Sequence, residues 1–456
     1  MSATVAKTAH TPKFITLDPP TRSDRRFLTG DYSEWEADKI GFWRETGNMS
    51  PIVKLRFYYM NILLITDADY AQEILQKRNR NYIKEQRFMK VVETGASQTM
   101  FSSDGDEWIW RRRLMQPAFH RKQIAQFGEA IVGETDKLLS DWQVGSMLDV
   151  DEAMKVLTMM IIGRTMFNVD MAGDSADLHH AYRVVGQFIV DRVTNMLPIP
   201  IQVPLPSHRE FLEASKTIRE ALTTIIDNRR ISNEPHHDLL DMLLTMVGDE
   251  GFTQEQLIFE MSSIVFAGHE TTATTLTWLF YALTQHPEIE QKLFAELDTV
   301  LNGRTATASD LANLPYLNKV INETLRYYPS AILTTRQSVE ADVLDGYQIR
   351  KDEQIFINIR GLHFDERYWD KPDEFDPERF SAERSKGRHK WAFLPFLNGP
   401  RKCIGEPLSR MEMQLITATI LQRFRLCLPA GEVVQEEAGF VLQPKGGLNI
   451  RLEARQ

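Results

Sequence analysis

The stretch from Thr253 to about Gln285, TQEQLIFEMSSIVFAGHETTATTLTWLFYALTQ, is apolar on most of its sides. As a helix it would run for about nine turns. A helix that is hydrophobic all round cannot lie on a surface, because it needs neighbours on every side. His286-Pro287 ends it, since the residue before proline avoids the helical region. PEIEQKLFAELDTVL then opens a new helix with Pro287 near its first position. The chain must therefore wrap other helices around the first one. It has the material, because helical periodicity dominates from about residue 107 to 330. The proline-rich PIPIQVPLPSH (198–208) is a connector between two of those helices.

Outside that region the pattern shortens. IVKLRFYYM and ILLIT read as strands, with Asn61 as the turn between them. DADYAQEILQK reads as a helix capped by Asp67. Residues 85–107 carry Gly, Ser and Asp and read as a long loop of the kind that covers binding sites. After Pro329, TTRQSVEADVLDGYQIRKDEQIFINI alternates like short strands. The tail GFVLQPKGGLNIRLEA reads as a hairpin about Lys445-Gly446-Gly447. Residues 1–35 read as an irregular arm. With no repeat, low-complexity linker or composition step, the expectation is one domain over residues 1–456, mainly α with small β sheets.

Charge and cysteine usage narrow the function. A net charge of -10 argues against a nucleic-acid binder. Two cysteines, Cys403 and Cys427, make no disulfide framework and fit a reducing compartment. The N-terminus lacks the apolar core of a signal peptide, and no apolar run is long enough to span a bilayer. A soluble cytoplasmic protein is expected.

Cys403 sits in FLPFLNGPRKCIGE, between Gly399 and Gly405 and beside Arg401 and Lys402. A thiolate ligand needs its negative charge stabilised. Glycines let backbone amides approach the sulfur, and the helix opening after Pro407 adds the positive end of its dipole. No second Cys or His stands at zinc spacing, and no C-x-x-C or C-x-x-C-H motif is present. A lone ligating cysteine points to a haem iron with one axial thiolate. The alternative is a small buried core residue, which is the reading for Cys427.

Phe396, Gly399, Arg401, Cys403 and Gly405 stand in the spacing F-x-x-G-x-R-x-C-x-G, which resembles the haem-binding signature of the cytochrome P-450 family. Three more segments, in the family's order, extend the resemblance from about residue 50 to the C-terminus. Ala267-Gly268-His269-Glu270-Thr271-Thr272 is similar to its oxygen-activation motif. Ala267 and Thr271 share a helix face, and Gly268 would let a flat cofactor come close. Glu270 and Thr271 next to an opened helix form either a proton relay or a kink with a solvated carboxylate; the resemblance favours the relay. His269 reads as packing or hydrogen bonding. Glu323 and Arg326 resemble the E-x-x-R element, and Arg379 lies in PERF; the resemblance implies that the three form a buried charge network behind the cysteine loop. Trp108 and Arg112 resemble the W-x-x-x-R element, with Arg336 and Arg401 at the other propionate-binding positions. Ser409 stands where the family often has alanine.

The resemblance implies a haem-thiolate monooxygenase, holding haem b on Cys403. It would activate dioxygen to hydroxylate or epoxidise a lipophilic small molecule such as a fatty acid, terpenoid or steroid-like ring. Electrons would come from a separate ferredoxin or flavodoxin type donor, fed by an NAD(P)H reductase. Arg111, Arg113, Arg121, Lys122 and Lys402 would form its basic docking patch. Ser263, Phe266, Ala331, Ile332, Leu333 and Phe440 are the expected substrate contacts. A peroxide-driven enzyme, a non-enzymatic haem sensor and a thiol-nucleophile enzyme are the competing readings.

Overall fold

The computed structural model describes residues 17–22, 29–94, 97–171, 175–195, 199–232, 235–248 and 251–455. The long apolar segment forms one unbroken helix, Gln254–Gln285, hereafter the central helix. Its start is fixed by a capping box: Thr253 Oγ1 accepts from the Gln256 N–H, and the Gln256 side chain accepts from the Thr253 N–H. It ends at His286, and Pro287–Leu301 follows as expected.

Helices cover it. Val150–Met166 packs along it, Glu406–Leu421, Pro315–Tyr327 and Pro206–Ser232 also lie against it, and Ser175–Thr194 meets it where Tyr182 approaches Phe266 and His269. Leu257, Met261, Val265, Leu276 and Leu279 of the central helix are buried in one cluster with Leu157, Ile161, Leu415 and Ile416. That cluster is the main core.

A five-stranded sheet forms the second layer, ordered Ile52–Phe57, Met60–Ile65, Gln354–Asn358, Leu333–Ser338 and Tyr82–Ile83. All its pairs are antiparallel except Met60–Ile65 with Gln354–Asn358. Its apolar face packs with Trp391 and Leu394, which lead into the cysteine loop.

Four local expectations need correction. The first hairpin turns at Tyr58-Tyr59, with Tyr58 at positive φ, and Asn61 pairs with Arg56 inside the second strand. Residues Gln86–Val92 are helical, so the expected 85–107 loop begins later; residues 95–96 lie outside the described residues. The tail is not a hairpin. Leu442–Pro444 pairs with Glu436–Ala438, whereas Asn449–Ala454 pairs with Met147–Asp149 and Phe424–Cys427. The N-terminal arm touches the five-stranded sheet through Thr21 and Gly30 and bridges Tyr347 through Leu17, and helix Tyr32–Ala37 begins inside it; residues 1–16 and 23–28 lie outside the described residues. Asp67 caps Ala68–Gln72 as expected, accepting from the N–H groups of Asp69 and Tyr70.

Candidate active site

A cavity of about 770 Å³ is lined by both the cysteine loop and the central helix. The loop closes on itself: the Cys403 N–H donates to the Phe396 carbonyl at 2.9 Å, and the Lys402 N–H to the Gly399 carbonyl at 3.1 Å. Gly399 has φ +81°, and a Cβ there would come within 2.4 Å of the Leu75 carbonyl oxygen. Only glycine fits that turn. Gly405 then caps helix Glu406–Leu421. The N–H groups of Gly405 and Glu406 donate to the Cys403 sulfur.

Cys403 is accessible from the cavity although it lies deep in the molecule. Burial pushes its thiol up. The two N–H donors and Arg112 pull it down, and the Glu406 carboxylate adds to the rise. The amide donors and dipole expected from the sequence are therefore present but outweighed by desolvation.

Four basic side chains converge on the cavity wall: Lys84, Arg112, Arg336 and Arg401. Burial lowers Arg336 to about 10, with the Arg401 guanidinium adding to the effect. Burial also lowers Arg112 and Arg401. Lys84 falls to about 7 through burial and its neighbours Arg401 and Arg336. Arg401 is paired with Asp104 and stacks over Trp108 at 4.4 Å. Arg336 donates to the Thr335 carbonyl at 2.6 Å and to Thr334. Basic groups in excess of the carboxylates that act on them, Asp104 and Glu260, form a receptor for an anionic group. Such a receptor, the Cys403 sulfur and the cavity between them fit a haem, whose carboxylates would answer those cations. Lys84 was missed in the sequence, where a single lysine between a short strand and a loop gives no signal.

Ala267, Gly268 and Thr271 line the cavity together, as their spacing required. The central helix is not opened there. Thr271 Oγ1 donates to the Ala267 carbonyl at 2.9 Å while helical structure continues through it. The missing Cβ of Gly268 points at Ile162, whose Cδ1 it would approach to 2.4 Å, so this glycine also permits close helix packing. Glu270 does not reach the cavity wall. Its carboxylate turns to Lys155 at 3.8 Å and His269 at 3.4 Å. Burial opposes its ionisation, but His269 and Lys155 outweigh that and hold it at about 2. The carboxylate is neither solvated nor beside the Thr271 hydroxyl.

An unexpected acid does line the cavity. Glu412, 1% exposed, lies on the helix that follows Cys403. Burial raises its carboxyl to about 8, partly offset by a hydrogen bond from Thr272. Thr272 Oγ1 also meets Ser409 Oγ at 3.0 Å. A glutamate among apolar helix positions was the available signal. Its raised value means that the folded protein holds a proton the unfolded chain has released above pH ~4.5. Stability contributed by that proton is present at low pH and is lost as pH rises toward 8. Between pH 6 and 8 the wild type should lose roughly 2 kcal/mol that Glu412→Gln does not lose. Urea midpoints measured across that range check this, and parallel pH profiles would refute it.

All six expected substrate contacts, Ser263, Phe266, Ala331, Ile332, Leu333 and Phe440, line the same cavity. Phe266 and Phe440 meet edge to face, 4.8 Å apart. Behind the loop, Glu323 binds Arg326 at 2.7 Å and Arg379 at 3.0 Å. All three are at most 2% exposed. The two guanidiniums also donate to the carbonyls of His363, Pro372, Lys371 and Glu374. His363 joins this network to the loop: Nδ1 donates to the Arg326 carbonyl, and Nε2 accepts from the Leu394 N–H at 2.9 Å. Burial and Arg326 lower its imidazole to about 3, so it stays neutral.

The basic patch is smaller than expected. Arg111 is 1% exposed and paired with Glu260 and Glu107. Arg113, Arg121, Lys122 and Lys402 are exposed, and Lys402 is paired with Glu406. Among the described residues no helix is long and apolar enough to cross a membrane.

Residues 43–450 match the family model described as Cytochrome P450. Cyclooctat-9-en-7-ol 5-monooxygenase of Streptomyces melanosporofaciens is 34% identical over 328 residues, covering 71% of this chain and 72% of that protein. The Arabidopsis thaliana protein LUTEIN DEFICIENT 5, chloroplastic, is 30% identical over 432 residues, covering 89% and 72%. The crystal structure of the cytochrome P450DA haem domain aligns with a TM-score of 0.86 at 22% identity, over 97% of this chain and 99% of that chain.

Proposed function

Because the chain belongs to the cytochrome P450 family, we propose that its monooxygenase chemistry acts on a lipophilic small molecule of fatty-acid, terpenoid or steroid-like kind. The observation that carries this is the cavity itself. The cavity would also take the haem, and the part of its wall formed by Phe266, Phe440, Ile332, Leu333, Val185 and Ile189 suits an apolar molecule beside it. A relative named as a monooxygenase of cyclooctat-9-en-7-ol supports the same class.

Cys403 would hold the iron of haem b. Arg112, Arg336, Arg401 and Trp108 would hold its propionates, and Ala267, Gly268, Phe396 and Gly405 would bound its faces. When bound, the haem supplies dioxygen binding and reductive cleavage of the O–O bond. The apolar wall orients substrate and excludes water. Thr271 presents its hydroxyl to the cavity and can exchange its bond to Ala267 for one to a proton-accepting group. Glu412, on the helix that follows Cys403, is a neutral acid at neutral pH, linked to Thr272 and through it to Ser409, and supplies a proton reservoir at the cavity. Glu270 enters this relay only by leaving Lys155 and His269. Electrons come from a separate ferredoxin or flavodoxin type donor, met at Arg113, Arg121, Lys122 and Lys402.

Removing the Thr271 hydroxyl should lower product formed per electron consumed by about 100-fold. Dioxygen and electron uptake should continue, with hydrogen peroxide as the product. Unchanged coupling in Thr271→Ala would remove Thr271 from proton handling.

The substrate reading is tested by titrating the haem-loaded enzyme with a medium-chain fatty acid, a diterpene alcohol and a steroid, following the Soret band. The responding ligand is then turned over under labelled dioxygen. One of the three should shift the band and gain one labelled oxygen. No response to any, or label arriving from water, overturns the reading. Equal turnover with hydrogen peroxide alone would favour the peroxide-driven alternative.

A further inference from the structure

Three helices meet outside the cavity wall and bring together titratable groups that the reaction above leaves largely unused. Val150–Met166 contributes Asp151, Glu152 and Lys155; Ser175–Thr194 contributes His179; the central helix contributes His269 and Glu270. One ring nitrogen from each histidine and one Glu270 oxygen lie within 4.8 Å of one another. His179, His269 and Glu270 are 3%, 0% and 8% exposed. His179 Nδ1, His269 Nε2 and Glu270 Oε2 are all buried without a hydrogen-bond partner. Orphaned polar atoms in such a place cost free energy unless something binds them.

The His269 tautomer shows what is missing. Its Nδ1 lies 2.8 Å from the Val265 carbonyl, which can only accept. Nδ1 therefore carries hydrogen, so Nε2, 3.4 Å from Glu270 Oε2, either holds a second proton or offers its lone pair to a cation. Two electron-rich atoms face each other and call for an electropositive centre between them. His179 is arranged the same way: Nε2 lies 3.4 Å from the Glu152 carboxylate, which orients the ring and frees Nδ1 as an acceptor. The other Glu270 oxygen faces Lys155, which is also bonded to Asp151 at 2.7 Å. Asp151, Glu152 and Glu270 thus outnumber the two cations that act on them, Lys155 and Arg183.

We infer that His179, His269 and Glu270 form a binding site for a divalent transition-metal cation of the zinc type. Two imidazoles and one carboxylate select zinc or its neighbours over calcium and magnesium. Tetrahedral ligands about 2.0–2.1 Å from zinc stand roughly 3.4 Å apart. His269 and Glu270 already have that separation, and a rotation of His179 closes the third leg. Glu152, whose side chain is 54% exposed, offers the access route. The cation would tie helix Ser175–Thr194 to the central helix one residue before Thr271.

The test uses untagged, haem-loaded protein, treated with a chelator and titrated with Zn²⁺ against a chromophoric indicator, followed by metal analysis after desalting. The wild type should retain one zinc per chain. His179→Ala should weaken zinc binding by about 100-fold or more, and Glu152→Gln by roughly 10-fold, while His120→Ala, on the exposed surface, should not change it. The carbon monoxide spectrum of each variant reports an intact fold. No stoichiometric zinc in the wild type, or unchanged binding in both His179→Ala and Glu152→Gln, overturns the site and leaves a proton on His269 as the bridging charge.

Discussion

Cys403→Ala should lose the long-wavelength carbon monoxide band and all product formation, while Cys427→Ala keeps both. Among the described residues no histidine and no other thiol lines the cavity, so no second strong ligand can replace the sulfur. Alanine removes a group that two backbone N–H donors and Arg112 are placed to support. Cys427 lies in the strand Phe424–Cys427 and pairs with Arg451, outside the cavity wall. Burial and the Glu453 carboxylate push its thiol to about 11. The measurement is the difference spectrum of dithionite-reduced protein with and without carbon monoxide. A band that survives in Cys403→Ala, or a histidine-type band in the wild type, would sink the assignment.

Glu323→Ala should destabilise the protein by about 3–5 kcal/mol, the cost of leaving buried charges without their partner. Glu323 is the one carboxylate shared by Arg326 and Arg379, and none of the three reaches solvent. The carbonyl partners of both guanidiniums satisfy their hydrogens but do not cancel their charge. Through His363 and Leu394 the disturbance reaches the cysteine loop, so haem content should fall with stability. Arg326→Lys should not recover it, because an ammonium cannot reproduce the paired bonds of a guanidinium. Arg410→Ala, at a partly exposed pair with Glu406, should cost less, about 1 kcal/mol. Urea midpoints and haem-to-protein ratios measure both effects. A loss below about 1 kcal/mol for Glu323→Ala would show that the network is not what holds the loop.

What could be read from the chain follows from how local each signal is. The central helix was legible because an all-round apolar pattern ended by His286-Pro287 leaves one solution. The cysteine loop was legible because Gly399 and Gly405 flank Cys403 within a few residues. Glu270 was misplaced because adjacent helix residues point about 100° apart. Sharing a motif with Thr271 did not put its carboxylate on the same wall. Arg111 reads as one of three surface arginines, and only the distant Glu260 reveals that it is buried. Lys84 and Glu412 acquire their altered acidities from burial in the fold, with Arg401 and Arg336 adding to the effect on Lys84. The tail failed as a hairpin because its two strands pair with other segments and not with each other, Leu442–Pro444 with the preceding Glu436–Ala438 and Asn449–Ala454 with Phe424–Cys427 and the distant Met147–Asp149.

The parallel pairing of Met60–Ile65 with Gln354–Asn358 bears on the order of synthesis. The first strand leaves the ribosome about 290 residues before its partner, an interval of roughly 15–60 s at ordinary elongation rates. For that time Ile62, Leu63, Leu64 and Ile65 have an unpaired, strongly apolar edge. Leu394 and the cysteine loop emerge later still. Nascent chains arrested before Gln354 should therefore expose this strand to protease and to chaperones, and chains released beyond Gly405 should not. If the arrested chains are already protected there, the hairpin finds shelter without its parallel neighbour. Otherwise, aggregation during translation limits yield before thermodynamic stability does.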